Sequence, residues 1–368
     1  MKPIRVLNLF TIMNRGGAEN IVMNYYRHID RTKVQFDFMV HRQERAAFDD
    51  EIESLGGKIY RMPPIYPWNF SKYKRMVKDF FTIHQEYRIV HSHMSELGYF
   101  ALKEAQKQGV PIRIPHAHSA PQGLDLKTPF REYFKRSMRP FATHMFSCGS
   151  EAGTWLFGQE NKQNIIVMNN AIDVSQFTFS EAIRKEKRIE MGLSTGQFVI
   201  GHVGSFRKPK NHSFLLKVFN VIKKIEPNSV LMLIGDGNLR KEIEREIKKL
   251  ILKDSVLMTG VRSDVAQLMQ AMDVFLFPSH FEGLPVVIVE AQAATLPCIL
   301  SDRITNEVDM GMGLTHFISL DQSAEVWAEG IIRNKSINRN MSIQPLIDRG
   351  YDIRTTTEWL QNFYLTVQ

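Results

Sequence analysis

Short apolar runs rich in β-formers alternate with amphipathic helical stretches along the whole chain, and this alternation limits the folds open to it. The strand candidates are Val6–Phe10, Val34–Val40, Arg88–His91, Arg113–His116, His144–Ser147, Ile165–Met168, Phe198–Val203, Val230–Ile234, Val256–Thr259, Val274–Phe277 and Cys298–Ser301. Because parallel strands need crossover connections, usually helices, the pattern predicts parallel sheets covered by helices on both faces. Two such series predict an α/β protein with two doubly wound, Rossmann-like domains.

The 368 residues are enough for two domains of ordinary size. We expect an N-terminal domain over residues 1–180 and a C-terminal domain over residues 181–349. A last helix, at about 350–368, could pack onto the first domain. The charged segment Glu181–Glu190 is poorly periodic and suits either a linker or an exposed helix. Ligands of open parallel sheets lie beyond the carboxyl ends of the strands, so the loops after the strands are the candidate sites.

Composition excludes several classes of protein. The chain is 43% hydrophobic and 23% charged, which is typical of a folded protein and not of a disordered one. No apolar run is long enough to span a bilayer. The two cysteines, Cys148 and Cys298, lie in opposite halves, so we expect no disulfide framework and a cytoplasmic location.

The net charge of +8 is concentrated in one half of the chain. Residues 1–180 contain 24 Lys and Arg against 17 Asp and Glu, whereas the remaining residues contain 23 against 22. Anionic lipid, lipid-linked phosphate and nucleic acid are alternative partners for such a surplus, and chance would also explain it.

The strongest motif is Ser279–Ala291, which directly follows a predicted strand. Gly283 lets the backbone approach a ligand, and Pro285 suits the first turn of a helix, whose free N–H groups can bind a diphosphate. Glu282 precedes this helix and Glu290 lies about two turns inside it, so helical periodicity predicts both carboxylates on one side. Carboxylates accept hydrogen bonds from paired hydroxyl groups, as a sugar or a ribose offers.

The Glu-x7-Glu spacing within Phe-Glu-Gly-Leu-Pro resembles the signature of the retaining glycosyltransferases of family 4. That family has the GT-B fold, in which two Rossmann-like domains face each other across a cleft. Its first Glu contacts the donor sugar, the backbone after it holds phosphate, and its second Glu binds the ribose. The resemblance therefore implies these roles for Glu282, for Gly283 and Leu284, and for Glu290.

Two further glycine-containing loops match the family. Gly16 and Gly17 follow the first strand and resemble its N-terminal glycine loop near the donor phosphates and the acceptor. In the segment Gly204–His212, Lys210 takes the position of the family lysine that clamps the diphosphate. Ser205 stands where the family has Arg. Arg207, two residues further on, is an alternative source of that charge.

Histidines end two strands of the first domain. His118 best matches the family's histidine near the transferred sugar, with His116 as the alternative and a packed core histidine as the non-functional interpretation. His116 and His118 share a strand face, as do His91 and His93, and a His-x-His pair can also bind metal. Since no carboxylate or cysteine cluster accompanies them, we expect no metal site.

Basic residues recur every four positions at Lys127, Arg131, Lys135 and Arg139, with Arg136 beside them and aromatic residues between. We call these five residues the basic stripe. Basic and aromatic residues on one helix are typical of contact with an anionic membrane, although such a pattern is more often a solvated face over a core. Lys72–Lys78 is the second candidate for this contact.

Within the family, the segments Asn14–Asn20, Phe38–His41 and Cys148–Gly158 most resemble bacterial exopolysaccharide and capsule transferases. The resemblance therefore implies a retaining glycosyltransferase that transfers a sugar from a UDP-sugar to a lipid-linked saccharide in exopolysaccharide or capsule biosynthesis. It predicts a cytoplasmic enzyme, peripheral on the inner face of the membrane, that needs no cofactor; the chain has no Asp-x-Asp triplet to chelate a metal. A soluble acceptor is the alternative. A dinucleotide-dependent oxidoreductase would need Gly-x-Gly-x-x-Gly after a strand, which is absent. A nucleic-acid-binding protein would need a recognised module, and none appears.

Overall fold

The computed structural model describes residues 2–120, 126 and 128–367. By its internal contacts the chain forms two compact units, residues 1–171 with 353–368, and residues 172–352. We call these the first unit and the second unit. No helix in the described part of the chain combines the length and apolar composition needed to cross a bilayer.

The first unit is a seven-stranded parallel sheet with helices on both faces. Its strands are β1 (Ile4–Phe10), β2 (Val34–Val40), β3 (Ile59–Arg61), β4 (Ile89–Ser92), β5 (Ile112–Ala117), β6 (Met145–Ser147) and β7 (Ile165–Val167). Its α-helices are α1 (Gly17–His28), α2 (Asp49–Ser54), α3 (Phe70–Ile83), α4 (Tyr99–Lys107), α5 (Thr128–Met138), α6 (Ser150–Phe157) and the last helix, α15 (Ile353–Val367). The strand order is β3-β2-β1-β4-β5-β6-β7.

The second unit is a six-stranded parallel sheet of the same design. Its strands are β8 (Phe198–Val203), β9 (Ser229–Ile234), β10 (Val256–Gly260), β11 (Val274–Phe277), β12 (Cys298–Ser301) and β13 (Thr315–Ile318). Its α-helices are α7 (Val174–Phe177), α8 (Glu181–Glu190), α9 (His212–Ile225), α10 (Arg240–Lys249), α11 (Val265–Ala271), α12 (Val286–Ala293), α13 (Ala324–Arg333) and α14 (Gln344–Asp348). The strand order is β10-β9-β8-β11-β12-β13.

The two-unit parallel α/β fold confirms the predicted fold class, and the alternation of strands and helices predicts eleven of the thirteen strands found among the described residues. The two strands it misses, β3 and β13, lie at sheet edges and are only three and four residues long. Both are only partly buried along their whole length, so they lack the continuous apolar run that marks a buried strand.

The boundary between the units differs from the expected one. The units divide at residues 171/172 and not at 180/181, because Val174 and Phe177 of α7 are buried in the core of the second unit. The segment Glu181–Glu190, expected as a linker or an exposed helix, is a helix with most of its residues exposed. It packs as α8 against α11, with Arg188 buried and paired to Asp273 at 2.8 Å.

In each unit the strand order reverses beside the first strand, between β1 and β4 and between β8 and β11. Connections on either side of such a point leave in opposite directions and open a crevice at the carboxyl edge of the sheet. We call these two places the switch points, and the candidate residues are described around each of them.

Candidate functional site

The switch point of the second unit brings together the two loops that carry the strongest motifs. The loop after β8 runs from Gly204 to Asn211, and the loop after β11 runs from Pro278 to Pro285. His280 N–H donates to Pro209 O at 2.8 Å, and Asn211 Nδ2 donates to Pro278 O at 3.1 Å. The two loops are therefore fixed to each other by the chain's own hydrogen bonds.

Lys210 and Glu282 form an ion pair between these loops. Lys210 Nζ lies 2.7 Å from Glu282 Oε1, and both side chains are mostly shielded from solvent. Lys210 Nζ also lies 4.4 Å from the centre of the Phe277 ring, a cation–π contact that holds the ammonium group in place. The pair keeps two opposite charges available at the carboxyl edge of the sheet, where a ligand can take over either one.

Several buried polar atoms near this pair have no hydrogen-bond partner among the described residues. They are His202 Nε2, both ring nitrogens of His212, and Ser279 Oγ. Native structures leave few buried polar groups unpaired, because each costs about 1–3 kcal/mol. Their gathering beside Lys210 and Glu282 is what a polar ligand site would produce.

Glu282 and Glu290 do not share one helix face in the way that the spacing predicted. Helix α12 begins at Val286, and residues 282–285 are not helical, so helical periodicity does not extend from one carboxylate to the other. Glu290 alone lies within α12. Its removal from solvent raises the pKa of its carboxyl group to about 7.

Gly283 lies in an open position. A Cβ atom added there would meet nothing within 4 Å, so packing does not demand glycine at this place. Leu284 packs partly against the core of the unit. The bare backbone at Gly283 leaves room for a ligand to approach closely, as a phosphate-binding loop requires.

Arg207 is exposed, in contrast to Lys210. It lines a depression of about 540 Å³ together with Ser205, Lys208, Asp236 and Asn238. Gly235 lets the neighbouring loop close up behind this depression: it has φ +137°, and a Cβ there would lie 2.1 Å from Gly204 O. The depression is thus bordered by the ends of β8 and β9, and Arg207 lies at its rim.

At the switch point of the first unit, Gly16 immediately precedes α1 and Gly17 is its first residue. A Cβ at Gly17 would meet nothing within 4 Å, whereas one at Gly16 would lie 2.3 Å from the carboxylate of Glu19. Burial raises the pKa of Glu19. The two predicted glycines thus differ, since Gly16 accommodates Glu19 and only Gly17 is open.

Four histidines line the same switch point as two hydrogen-bonded pairs. His91 Nε2 lies 3.0 Å from His116 Nδ1, and His93 Nδ1 lies 2.8 Å from His118 Nε2. The rings of His91 and His93 stack at 4.3 Å, and those of His116 and His118 at 4.2 Å. Burial lowers the pKa of His91 to about 3 and that of His118 to about 4, so the imidazoles are neutral at physiological pH.

His116 and His118, the two alternatives for one role, lie in different surroundings. His116 is almost fully buried inside β5, and His118 is only half-buried, just beyond the end of that strand. His118 Nδ1 and His116 Nε2 have no partner among the described residues. Its place at the strand end favours His118 as the residue that meets a ligand.

His91, His93 and His116 bring one nitrogen each within 4.8 Å of one another, which is close enough to consider a metal site. Two nitrogen ligands bound tetrahedrally to zinc at about 2.0–2.1 Å lie roughly 3.3 Å apart. Within this group, the distance of 3.0 Å between His91 Nε2 and His116 Nδ1 is shorter than that and has the length of a hydrogen bond. The geometry therefore favours an imidazole hydrogen-bond network.

The basic stripe does not form a solvated face. Lys135 is buried, donates to Trp155 O at 2.9 Å and lies over the Trp155 ring, while Arg139 pairs with Glu160 at 2.5 Å. Arg131 is partly buried near Glu96, and Arg136 is exposed. Lys127 lies outside the described residues. Membrane contact and the alternative of a solvated face both need exposed side chains, and that expectation is wrong for Lys135, because this side of α5 packs against α6.

Two contacts of the structure were not predicted from the sequence. Asn8 in β1 bonds to His93, its Oδ1 lying 3.2 Å from His93 Nε2. Trp68 and Tyr66 stack on each other at 4.7 Å, and Trp68 is 81% exposed. An asparagine inside an otherwise apolar strand was the available signal for the first. The Pro-Trp sequence before α3 was a weak signal for the second.

Comparison with known proteins gives matches along the whole chain. The model of the glycosyl transferases group 1 matches residues 183–341, and the model named Glycosyltransferase Family 4 matches residues 15–176. EpsF of Bacillus subtilis is 39% identical over 98% of this chain and 96% of its own length.

More distant relatives have described activities. The capsular polysaccharide biosynthesis glycosyltransferase CapH of Staphylococcus aureus is 25% identical over 99% of both chains. The UDP-Gal:alpha-D-GlcNAc-diphosphoundecaprenol alpha-1,3-galactosyltransferase of Escherichia coli is 29% identical over 59% of this chain and 58% of its own. Among solved structures, Anabaena HepE in complex with UDP superposes with a TM-score of 0.78 over 100% of both chains at 18% identity, which shows a common fold.

Proposed function

Because this chain belongs to family 4 of the glycosyltransferases and has their GT-B fold, we propose that it transfers a sugar from a UDP-sugar to a lipid-linked saccharide, with retention of the anomeric configuration. The observation that carries the proposal is the Lys210–Glu282 ion pair, held at 2.7 Å at the switch point of the second unit. An ammonium group suits the leaving diphosphate, and a carboxylate suits the hydroxyls of the donor sugar.

Most of the other proposed donor contacts come from the second unit, and three come from the first. Gly283 and Leu284 would present backbone to the phosphates, and Glu290 would accept hydrogen bonds from the ribose. Arg207, exposed at the rim of the depression, would supply the charge that Ser205 lacks. In the first unit, Gly16 and Gly17 would border the phosphates, and His118 would bond to the transferred sugar.

UDP and a lipid-linked acceptor are supported by the relatives. HepE binds UDP in its crystal structure, and the galactosyltransferase of Escherichia coli is named for a UDP-sugar donor and a diphosphoundecaprenol acceptor. CapH is named for capsular polysaccharide biosynthesis. We therefore place the reaction in the assembly of an exopolysaccharide or capsule, at the inner face of the cell membrane. We propose that it needs no metal, since Lys210 and Arg207 can offset the diphosphate charge.

The test is a ligand screen that needs no acceptor. UDP should raise the unfolding temperature more than GDP or ADP does, because a ligand at a hundred times its Kd stabilises the native state by about 2.7 kcal/mol. Slow hydrolysis of UDP-sugars, followed by NMR, should release a sugar whose first-formed anomer matches the donor. Stabilisation by NAD and not by UDP, or release of the opposite anomer, would contradict the proposal.

The same proposal includes attachment to an anionic membrane, and we propose α3 in place of the basic stripe as the contact surface, because Lys135 of the stripe is buried. Lys72, Arg75 and Lys78 are exposed at a spacing of three residues on one side of α3. The exposed Tyr66–Trp68 stack lies just before this helix. Basic residues attract anionic headgroups by on the order of 1 kcal/mol each, and Trp and Tyr favour the membrane interface.

Sedimentation with anionic liposomes tests this surface. Changing Lys72, Arg75 and Lys78 to Glu should abolish binding at low salt. The matched control changes Lys241, Arg245 and Lys248 to Glu on α10 of the second unit, where they are also exposed and the net charge changes equally. If both triple variants lose binding alike, attachment depends on net charge alone and the α3 surface is not the contact.

A further inference from the structure

The four histidines at the switch point of the first unit form two hydrogen-bonded pairs, and the two pairs differ in what fixes their protons. We propose that Asn8 and His93 fix the tautomer of His118, so that His118 presents a bare lone pair at Nδ1 and binds its ligand by accepting a hydrogen bond from a hydroxyl group. This inference rests on the proposed function, because it assigns the ligand of His118 to the sugar chemistry of that reaction.

Asn8 determines which partner donates in each hydrogen bond of the series Asn8–His93–His118. Its Nδ2 lies 3.4 Å from both Val6 O and Asp37 O, two acceptors that only the NH2 side of the amide can face. Its Oδ1 is therefore the atom that lies 3.2 Å from His93 Nε2. Since an amide oxygen only accepts, the proton at this contact belongs to His93 Nε2.

The protonation of His93 in turn fixes that of His118. A neutral imidazole has one N–H and one lone pair, so His93, protonated at Nε2, has its lone pair at Nδ1. That lone pair lies 2.8 Å from His118 Nε2 and accepts the proton there. His118 is left with a lone pair at Nδ1, and this buried atom has no partner among the described residues.

Neutrality of the two rings is secured by burial. Removal from water lowers the pKa of His118 to about 4 and lowers that of His93 well below its usual value. Stacking of Phe10 on His93 at 4.5 Å adds to this apolar surrounding. A second proton on either ring would also break the chain, because each ring must keep one acceptor.

In the other histidine pair, His91 and His116, no contact fixes which ring donates and which accepts. His91 Nδ1 lies 2.7 Å from the hydroxyl of Tyr364, which can donate or accept. Either tautomer of His91 and His116 is compatible with that contact. The chain Asn8–His93–His118 thus has a property that its neighbour lacks, and it is the one that ends at the carboxyl edge of the sheet.

The bare lone pair selects the chemistry of the ligand. It accepts from a hydroxyl group but repels the oxygens of a carboxylate or a phosphate, which have no proton to offer at neutral pH. His118 would therefore contact a sugar hydroxyl and not the diphosphate. His93 and Asn8 are positioning residues, since they act only through His118.

Nitrogen-15 NMR of the histidine side chains tests the tautomer directly on the full chain without ligand. In the wild type, assigned by comparison with His118→Gln, His118 should show a proton-bearing Nε2 and a proton-free Nδ1. A proton on Nδ1, protons on both nitrogens, or rapid averaging would each overturn the proposal. This readout does not depend on any donor, so it can succeed even if sugar transfer is disproved.

Substitutions at His93 link the tautomer to function. His93→Phe keeps the ring but removes the acceptor, so the His118 signals should average and UDP-glucose hydrolysis should fall about tenfold, as with other residues that orient a functional histidine. His93→Asn places an amide oxygen near the former Nδ1 and should restore the single tautomer and most of the rate. Tyr364→Phe, at the other histidine pair, should leave the His118 tautomer unchanged. Unchanged signals in His93→Phe, or no rescue by His93→Asn, would overturn the inference.

Discussion

The switch points of the two units have the same topology, but one presents charged side chains and the other presents neutral ones. In the second unit, β8 and β11 present an ammonium and a carboxylate 2.7 Å apart. In the first unit, β1 and β4 present Asn8 and buried histidines whose pKa values are lowered until they are neutral. Parallel sheets with the same strand order therefore carry charged side chains at one switch point and neutral hydrogen-bonding side chains at the other.

The difference follows from what the strands bury. Lys210 and Glu282 lie in loops beyond the strands, where partial exposure and their mutual pairing lower the free-energy cost of carrying a charge. His91 lies within β4 and His116 within β5, with covered strands on each side. Ionising a group in such a place is costly, so a histidine there becomes a neutral hydrogen-bonding group.

The largest effect is expected from breaking the charged crevice at Glu282. Glu282→Ala should lower turnover of a UDP-sugar by about 10²–10³-fold, as loss of one preorganised transition-state contact does. Steady-state kinetics with the released UDP as readout measures this loss. Glu329→Ala, an exposed glutamate on α13 of the same unit, is the control and should retain full turnover. Equal turnover in both variants would show that Glu282 only holds Lys210.

Lys210→Met should act on binding more than on folding. Methionine keeps most of the side chain over Phe277 but removes the charge, and a charge-assisted hydrogen bond contributes about 1.5–3 kcal/mol. We therefore expect UDP to bind about 10- to 100-fold more weakly in isothermal titration calorimetry. Lys217→Met, at an exposed position on α9, should bind UDP normally. UDP affinity that is unchanged in Lys210→Met would move the diphosphate to Arg207.

Much of this comparison could be predicted from the sequence, but not all of it. The motif residues Glu282 and Lys210 were identifiable because loop chemistry depends on local spacing. The partners of His118 were not, because Asn8 and His93 are contributed by two other strands, and their contacts depend on the register of β1, β4 and β5. The orientation of Lys135 was also hidden, since an amphipathic pattern does not say which neighbouring helix covers a face.

A smaller effect should separate the two crevices by pH. Burial raises the pKa of Glu290 to about 7. In the proposed site the ribose hydroxyls would donate to the ionised carboxylate, so UDP binding should release a proton. UDP affinity should rise about tenfold from pH 6 to pH 8, because at pH 6 only about a tenth of a group with a pKa of 7 is ionised. His91 and His118, with pKa values of about 3 and about 4, stay neutral throughout and add nothing to this change.

Glu290→Gln is the matched variant for this titration. It cannot ionise, so any rise in its UDP affinity between pH 6 and pH 8 reports the diphosphate or another group. Calorimetry in two buffers of different ionisation enthalpy measures the proton released. An identical pH profile in wild type and Glu290→Gln would show that the carboxyl group does not meet the ribose.

The smallest expected effect is that of metal removal, which tests the Lys210–Glu282 pair and the histidines of the first unit separately. The Lys210 ammonium group can offset the diphosphate charge without a metal ion. In the candidate metal group, His91 Nε2 and His116 Nδ1 lie 3.0 Å apart, which is a hydrogen-bond length. Dialysis against EDTA should therefore leave both UDP-sugar turnover and unfolding temperature unchanged. Turnover that is lost with EDTA and restored by Mn²⁺ would place a cation on the donor diphosphate. A fall in unfolding temperature that Zn²⁺ reverses, and that His91→Phe abolishes, would instead show that the histidines bind metal. Because the two failures have different readouts, one dialysis experiment distinguishes which crevice has been misinterpreted.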